Sequence, residues 1–208
     1  AGAFRIAIGL ALARTARPRS DAQAAVVLRR HMSAKPSRYD VLKAIRIRAA
    51  LTDRRRDEGA DALDLGFIRA RAALVQEFPT AALVFYGAEI ERPLLALVER
   101  LLAEALGGRG PKIKMLPITG DKWFRSQGFA ASWNAGRVRV QEPKDRDGWQ
   151  NDYVAQHVEF NGQAGNEDDL VDAGTAAHDY LESISTAPPG RPLTTGEGSE
   201  ADRMARFV

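Results

Sequence analysis

The chain has no cysteine among its 208 residues, which excludes disulfide scaffolds, thiolate nucleophiles and cysteine-ligated zinc or iron–sulfur centres together. Histidine is scarce too: His31, His157 and His178 are scattered and have no metal-ligand spacing to a partner. Any metal chemistry must therefore use oxygen ligands. There is no run of about 18 apolar residues, and no charged-then-apolar leader with a small-residue cleavage site. A soluble intracellular protein is the expectation. The Gly-x-x-x-x-Gly-Lys-Ser/Thr phosphate loop is missing as well, since GGRGPKIK at 107–114 lacks its spacing, and ATP hydrolysis by this polypeptide is not expected. No internal repeat is present.

What the chain does have is 45% hydrophobic residues, enough to bury a proper core as one domain with a tail. The formal charge is only +3, but arginines gather at Arg14, Arg17, Arg19, Arg29, Arg30, Arg46, Arg48, Arg54, Arg55 and Arg56, away from the acids. Such asymmetry suits a polyanion on the basic side, although solvated faces of an arginine-rich protein look the same.

Phe4 to Leu12 and Asp21 to Arg30 read as strands joined by the basic turn ARTARPRS, a hairpin. Arg38 to Arg46 is a third strand, and LTDRRRDEGAD after it is an exposed loop. A helix is expected from Asp64 to Phe78, stopped by Pro79, and Thr80 to Tyr86 is a strand buried on both faces. Pro93 opens a helix over Leu94 to Leu106 that Gly107 and Gly108 close, and Lys112 to Ile118 is the next strand. The rhythm is β–α–β–α–β. Asp121 to Asn134 is expected to be a helix burying Trp123, Phe124, Phe129, Ala130 and Trp133. A short strand or arm over Arg137 to Gln141 and a helix over Trp149 to Phe160 follow. Ser185 to Val208, rich in Pro, Gly, Ser and Thr, reads as a mobile tail after a domain over 1–184.

The densest chemical signal is Glu167-Asp168-Asp169-Leu170-Val171-Asp172-Ala173. It opens a helix whose stripe is Leu170, Ala173, Ala177, Tyr180, Leu181 and Ile184. Asp168 and Asp172 are four apart and Asp169 and Asp172 three apart, so either pair can converge on one divalent ion. Acids in a first helical turn also simply complement the exposed N–H groups there. Lys122, in Gly120-Asp121-Lys122 at a helix start, has the form of a phosphate contact, or of a surface lysine.

Three segments in this order, IGLALARTARPRSDAQAAVVL, GDKWFRSQGFAASWNAGRVRV and EDDLVDAGTAAHDYL, resemble the nuclease domain of phage terminase large subunits over about residues 4 to 184. The resemblance implies an α/β, ribonuclease-H-like fold, a mixed central sheet flanked by helices. It implies an endonuclease that cuts concatemeric duplex DNA during viral genome packaging in the cytoplasm of an infected host. The implied cofactors are two Mg²⁺ or Mn²⁺ ions about 3.5–4 Å apart. The implied partners are double-stranded DNA, a small terminase subunit, the portal ring and an ATPase domain that this chain lacks, as an excised nuclease domain would.

The family draws one acid from the first strand, a second from the end of a later strand and a third from the final helix. Asp169 is favoured as the third, with Asp168 beside it and Asp172 as a further metal ligand. The second is Glu91 or Glu89. Ala11 stands where the resemblance places the first aspartate, and a methyl group binds no metal. Severely reduced cleavage is therefore expected, whether by substitution or by lineage. Asp21 is the nearest acid that could compensate. Lys122 with Arg14, Arg17 and Arg19 is expected on DNA. Two other functions fit the pattern less fully: a non-catalytic DNA-binding and portal-docking module, and another ribonuclease-H-like nuclease such as a junction resolvase.

Overall fold

A computed structural model describes residues 3–12, 22–47, 66–142, 148–163 and 167–184. The expected loop over 51–61, the 185–208 tail and the whole basic turn over 13–20 lie outside them. The strands are β1 (Phe4–Ala11), β2 (Gln23–His31), β3 (Arg38–Ile47), β4 (Ala82–Gly87), β5 (Ile113–Pro117) and β6 (Val138–Val140). The helices are α1 (Gly66–Glu77), α2 (Arg92–Ala105), α3 (Lys122–Asn134), α4 (Trp149–Glu159) and α5 (Asp169–Ser183).

The strands form one mixed sheet in the order β5-β4-β1-β2-β3-β6. The expected hairpin is there: β1 and β2 run antiparallel, with Ala11 opposite Ala24, and β3 continues antiparallel beside β2. The β–α–β rhythm after it gives β4 parallel to β1 and β5 parallel to β4. The arm at Val138 pairs parallel with β3. Strand alternation sends side chains to opposite faces. Ile8, Leu10, Leu83 and Phe85 enter a core under α1 and α2, whereas Ala7, Ala24, Val26 and Val84 meet α5, Phe129 of α3 and Tyr153 of α4. Each fully buried Leu or Phe contributes roughly 1.5–3 kcal/mol, and Leu28, Phe67 and Leu102 are at most 1% exposed.

The last helix differs from the one-stripe expectation. It buries Asp169, Leu170, Val171, the run from Ala173 to His178, and Leu181, because it is a middle layer with the sheet below and α3 and α4 above. A helix covered from both sides is apolar most of the way round. Tyr180 and Ile184, assigned to the stripe, are only part-buried. Its ends are pinned to the sheet. Arg30 of β2 donates to the Leu181 and Ile184 carbonyls, occupying C-terminal acceptors that have no partner within the helix, and Tyr39 of β3 donates to Glu182.

A second correction concerns α3. Trp123 and Phe124 were expected in the core but are 47% and 68% exposed. The helix packs through Ser126, Phe129 and Ser132. Trp123 lies at the end of that line, past the edge of the core, where it meets the Phe160 ring and the turn at Gly162 instead. Phe124, one residue off the line, lies over Gly120.

The approach of α5 to β1 is backbone against backbone. A Cβ on Gly9 would collide with the Ala173 carbonyl and stand 2.9 Å from the Ala177 nitrogen. Gly9→Ala should therefore destabilise by about 3 kcal/mol. Gly128→Ala, in the interior of α3 with its nearest neighbours at 3.8 Å, should stabilise by up to about 1 kcal/mol. Urea unfolding midpoints of the two variants would shift in opposite directions. Equal shifts would contradict the close approach.

Candidate functional site

The contact at Gly9 sets where the acids go. From Gly9 to Ala11 the strand advances about 7 Å, and from Ala173 back to Asp169 the helix retreats about 6 Å. Both displacements lead to the same end of the sheet. The Asp169 carboxylate accepts the Ala22 N–H at 3.1 Å, just before β2 begins, and Ala24 in that strand faces Ala11. The side chain of Ala11 packs with the core on the α5 face. Because β4 is parallel to β1, its C-terminal end, followed by Glu89 and Glu91, belongs to this rim too. The first-strand position, the end of a later strand and the start of the last helix thus share one end of the sheet.

The acids of α5 point in two directions. Asp169, 3% exposed, turns toward β2 and β3. Besides the Ala22 N–H it takes Arg46 Nε at 3.2 Å, and Arg46 also holds Glu167 at 2.7 Å. Asp168 and Asp172 turn toward α3. They do converge on a single cation, as their spacing predicts, but that cation is the Lys122 ammonium, at 2.8 Å and 2.7 Å. Arg125 stands 3.7 Å from the other oxygen of Asp172. Sequence reasoning placed Asp168 beside Asp169 as joint ligands and Lys122 on phosphate. The structure separates the two aspartates and seats the lysine between two carboxylates. Arg46 and Arg125 had no assigned role, and nothing local in the sequence pairs them with residues more than 40 positions away.

Burial at this pair has electrostatic consequences. Desolvation pushes the Asp172 carboxyl above its ordinary range despite the pull of Lys122. Desolvation alone would lower Lys122, but the charges of Asp172 and Asp168, with their hydrogen bonds, outweigh it and drive it up.

Of the two candidate glutamates, Glu91 folds back onto the end of β4, where its carboxylate accepts the Ala88 N–H at 2.8 Å. Glu89 is exposed and ion-paired with Arg92, at 2.8 Å to one nitrogen. Asp21, Arg14, Arg17 and Arg19 lie outside the described residues. The oxygen donors are right in kind for a hard divalent ion. They are short in number: among the described residues no group of three His, Asp or Glu side chains is arranged to hold a metal. With alanine at position 11, the set does not fit a pair of ions.

Solved structures share this fold. The human cytomegalovirus terminase nuclease domain superposes with a TM-score of 0.59 at 10% sequence identity, covering 87% of this chain and 86% of that one. Its Mn-soaked form gives a TM-score of 0.57 at 9% identity, covering 86% and 84%. This chain has the fold of a terminase nuclease domain. The ribonuclease-H-like mixed sheet flanked by helices is thus borne out. No protein-family model matches the sequence, and no curated protein matches it. Among the described residues, no helix of this terminase-nuclease fold is long and apolar enough to cross a membrane.

Lys122→Met would leave Asp168 and Asp172 facing each other. The loss should be about 2 kcal/mol at pH 7, between the values for exposed and buried pairs because the lysine is partly solvated. Asp172, already raised, would rise further. A raised folded-state pKa favours folding below the unfolded value and opposes it as pH increases, so the deficit should shrink toward pH 4. Urea unfolding at pH 7 and pH 4 measures this, and a deficit that does not depend on pH would contradict it.

Proposed function

We propose that this chain is the nuclease module of a viral DNA-packaging terminase, a metal-dependent endonuclease fold for concatemeric duplex DNA whose activity is severely reduced by alanine at position 11. The observation that carries this reading is the convergence of Ala11, the end of β4 and the acid-bearing first turn of α5 on one rim of the sheet. Phosphodiester hydrolysis requires acids from separate parts of the chain around the scissile phosphate. Asp169, Asp172 and Glu91, with an acid at position 11, form the set that would hold two Mg²⁺ or Mn²⁺ ions, and Asp168 would support it. Manganese was soaked into one of the cytomegalovirus domains, in keeping with such a set. No catalytic step is assigned to the chain as it stands.

Duplex DNA would meet the rim through phosphates rather than base edges, giving little sequence preference and strong salt dependence. Arg14, Arg17 and Arg19, which follow Ala11 in the sequence, are the proposed DNA contacts. Lys122, now held by Asp168 and Asp172, would join them if those carboxylates were to hold a divalent ion instead. By the same reading, the partners are an ATPase motor domain, a small terminase subunit and a portal ring, and the setting is the cytoplasm of an infected host.

One observation favours a second function, a non-catalytic DNA clamp or portal-docking module: every α5 carboxylate at the rim already holds a protein cation.

Supercoiled plasmid separates the two. Ala11→Asp protein should nick it in Mn²⁺ or Mg²⁺ at a rate about 100-fold or more above the alanine form, with activity falling as salt rises. Plasmid left intact in both metals would contradict the nuclease reading and leave the clamp.

A further inference from the structure

On the opposite face of the sheet from α5, Arg71 of α1 is 1% exposed and lies under the last rung of the β1–β2 ladder. One terminal nitrogen donates to the Ala11 carbonyl at 3.2 Å and to the Ala24 carbonyl at 3.1 Å. The other donates to the Gln23 side-chain oxygen at 3.3 Å. The guanidinium plane stacks over Phe67, and Nε has no partner. All three acceptors are neutral oxygens, and among the described residues no carboxylate pairs with it. A buried guanidinium without an anion is strongly unfavourable, and an apolar side chain of similar volume would normally serve better.

Position 71 falls on the apolar stripe of α1, three residues after Ile68 and three before Leu74. The arginine is thus kept where Met or Leu would pack. The residue whose carbonyl it holds is the one that the sequence marks as missing an acid. Among the described residues, a positive charge without an anion lies beneath the position where the terminase resemblance expects a negative one.

We propose that Arg71 is the positioning residue and counter-charge for a carboxylate at position 11. A carboxylate there would lie roughly 5–7 Å from the guanidinium, across the thickness of one backbone, where screening by water is weak. Arg71 would fix the end of β1 through the Ala11 carbonyl and place a positive charge beneath the acid. This rests on position 11 being the site's first-strand acid, as in the proposed function.

The test is a comparison of Ala11→Asp with Ala11→Asn, which share a shape and differ in charge, by urea unfolding at pH 7 in EDTA. With Arg71 in place, the Asp protein should have a folding equilibrium constant about tenfold larger than the Asn protein, a one-pK-unit effect. In an Arg71→Met background that advantage should vanish, and Arg71→Lys should restore part of it. A purely structural arginine would lower both proteins equally. The proposal is overturned if the Asp protein is no more stable than the Asn protein with Arg71 present, which needs no Arg71 variant to fold. An equal advantage in Arg71→Met protein overturns it too. Plasmid nicking by Ala11→Asp is read separately. Nicking without this coupling removes only the role of Arg71, and coupling without nicking removes only the nuclease reading.

Discussion

Nothing separates α5 from β1 except hydrogen and carbonyl oxygen at Gly9, and the positions of the other groups at the rim follow from that contact. Because the helix backbone rests on the strand at Ala173, its first turn must project over the end of β1. Arg30 and Tyr39 fix the far end of the same helix to β2 and β3, so it has little freedom to slide or rotate. Its small residues, Ala173, Gly174, Ala176 and Ala177, allow this approach while α3 and α4 cover its other side. A packing requirement in the interior therefore sets the geometry of a charged rim at the surface.

The charges at that rim form a coherent arrangement with one gap. Asp169 is held by Arg46 and a backbone N–H, and Asp168 and Asp172 by Lys122, so the acids of α5 are stable together without a metal. Protein cations stand where ions of higher charge would compete for the same oxygens. Under the sheet, Arg71 has only neutral partners among the described residues. On the proposed reading, the buried positive charge beneath Ala11 would answer to a carboxylate at position 11.

Much of the fold was legible because its signals are local. The apolar runs of β1, β2 and β4 and the Pro93 and Gly107 punctuation each specify an element without reference to the rest of the chain. The pairing of β6 with β3 was not legible, since a three-residue strand carries no mark of its neighbour. Trp123 and Phe124 misled for a related reason: helical period identifies a face but not where the core beneath it ends. At the site, the placing of Asp169 and Asp172 in the first turn of the last helix could be read from sequence. The capture of Asp168 and Asp172 by Lys122, across 46 and 50 positions, could not, because ion pairing at that range leaves no local trace. Arg71 could have been noticed as a charge on an apolar stripe between Ile68 and Leu74. That signal was lost among the many arginines of the chain.

The central claim is that position 11 and the first turn of α5 face one another closely enough to share a divalent ion. Calorimetric titration of Mn²⁺ into the Ala11→Asp protein, with and without Asp169→Asn, addresses it directly. The account predicts binding by the Ala11→Asp protein, little or none by the alanine form, and loss of that binding when Asp169 is neutralised. Binding that is the same with alanine or aspartate at position 11, or that is indifferent to Asp169, would contradict it.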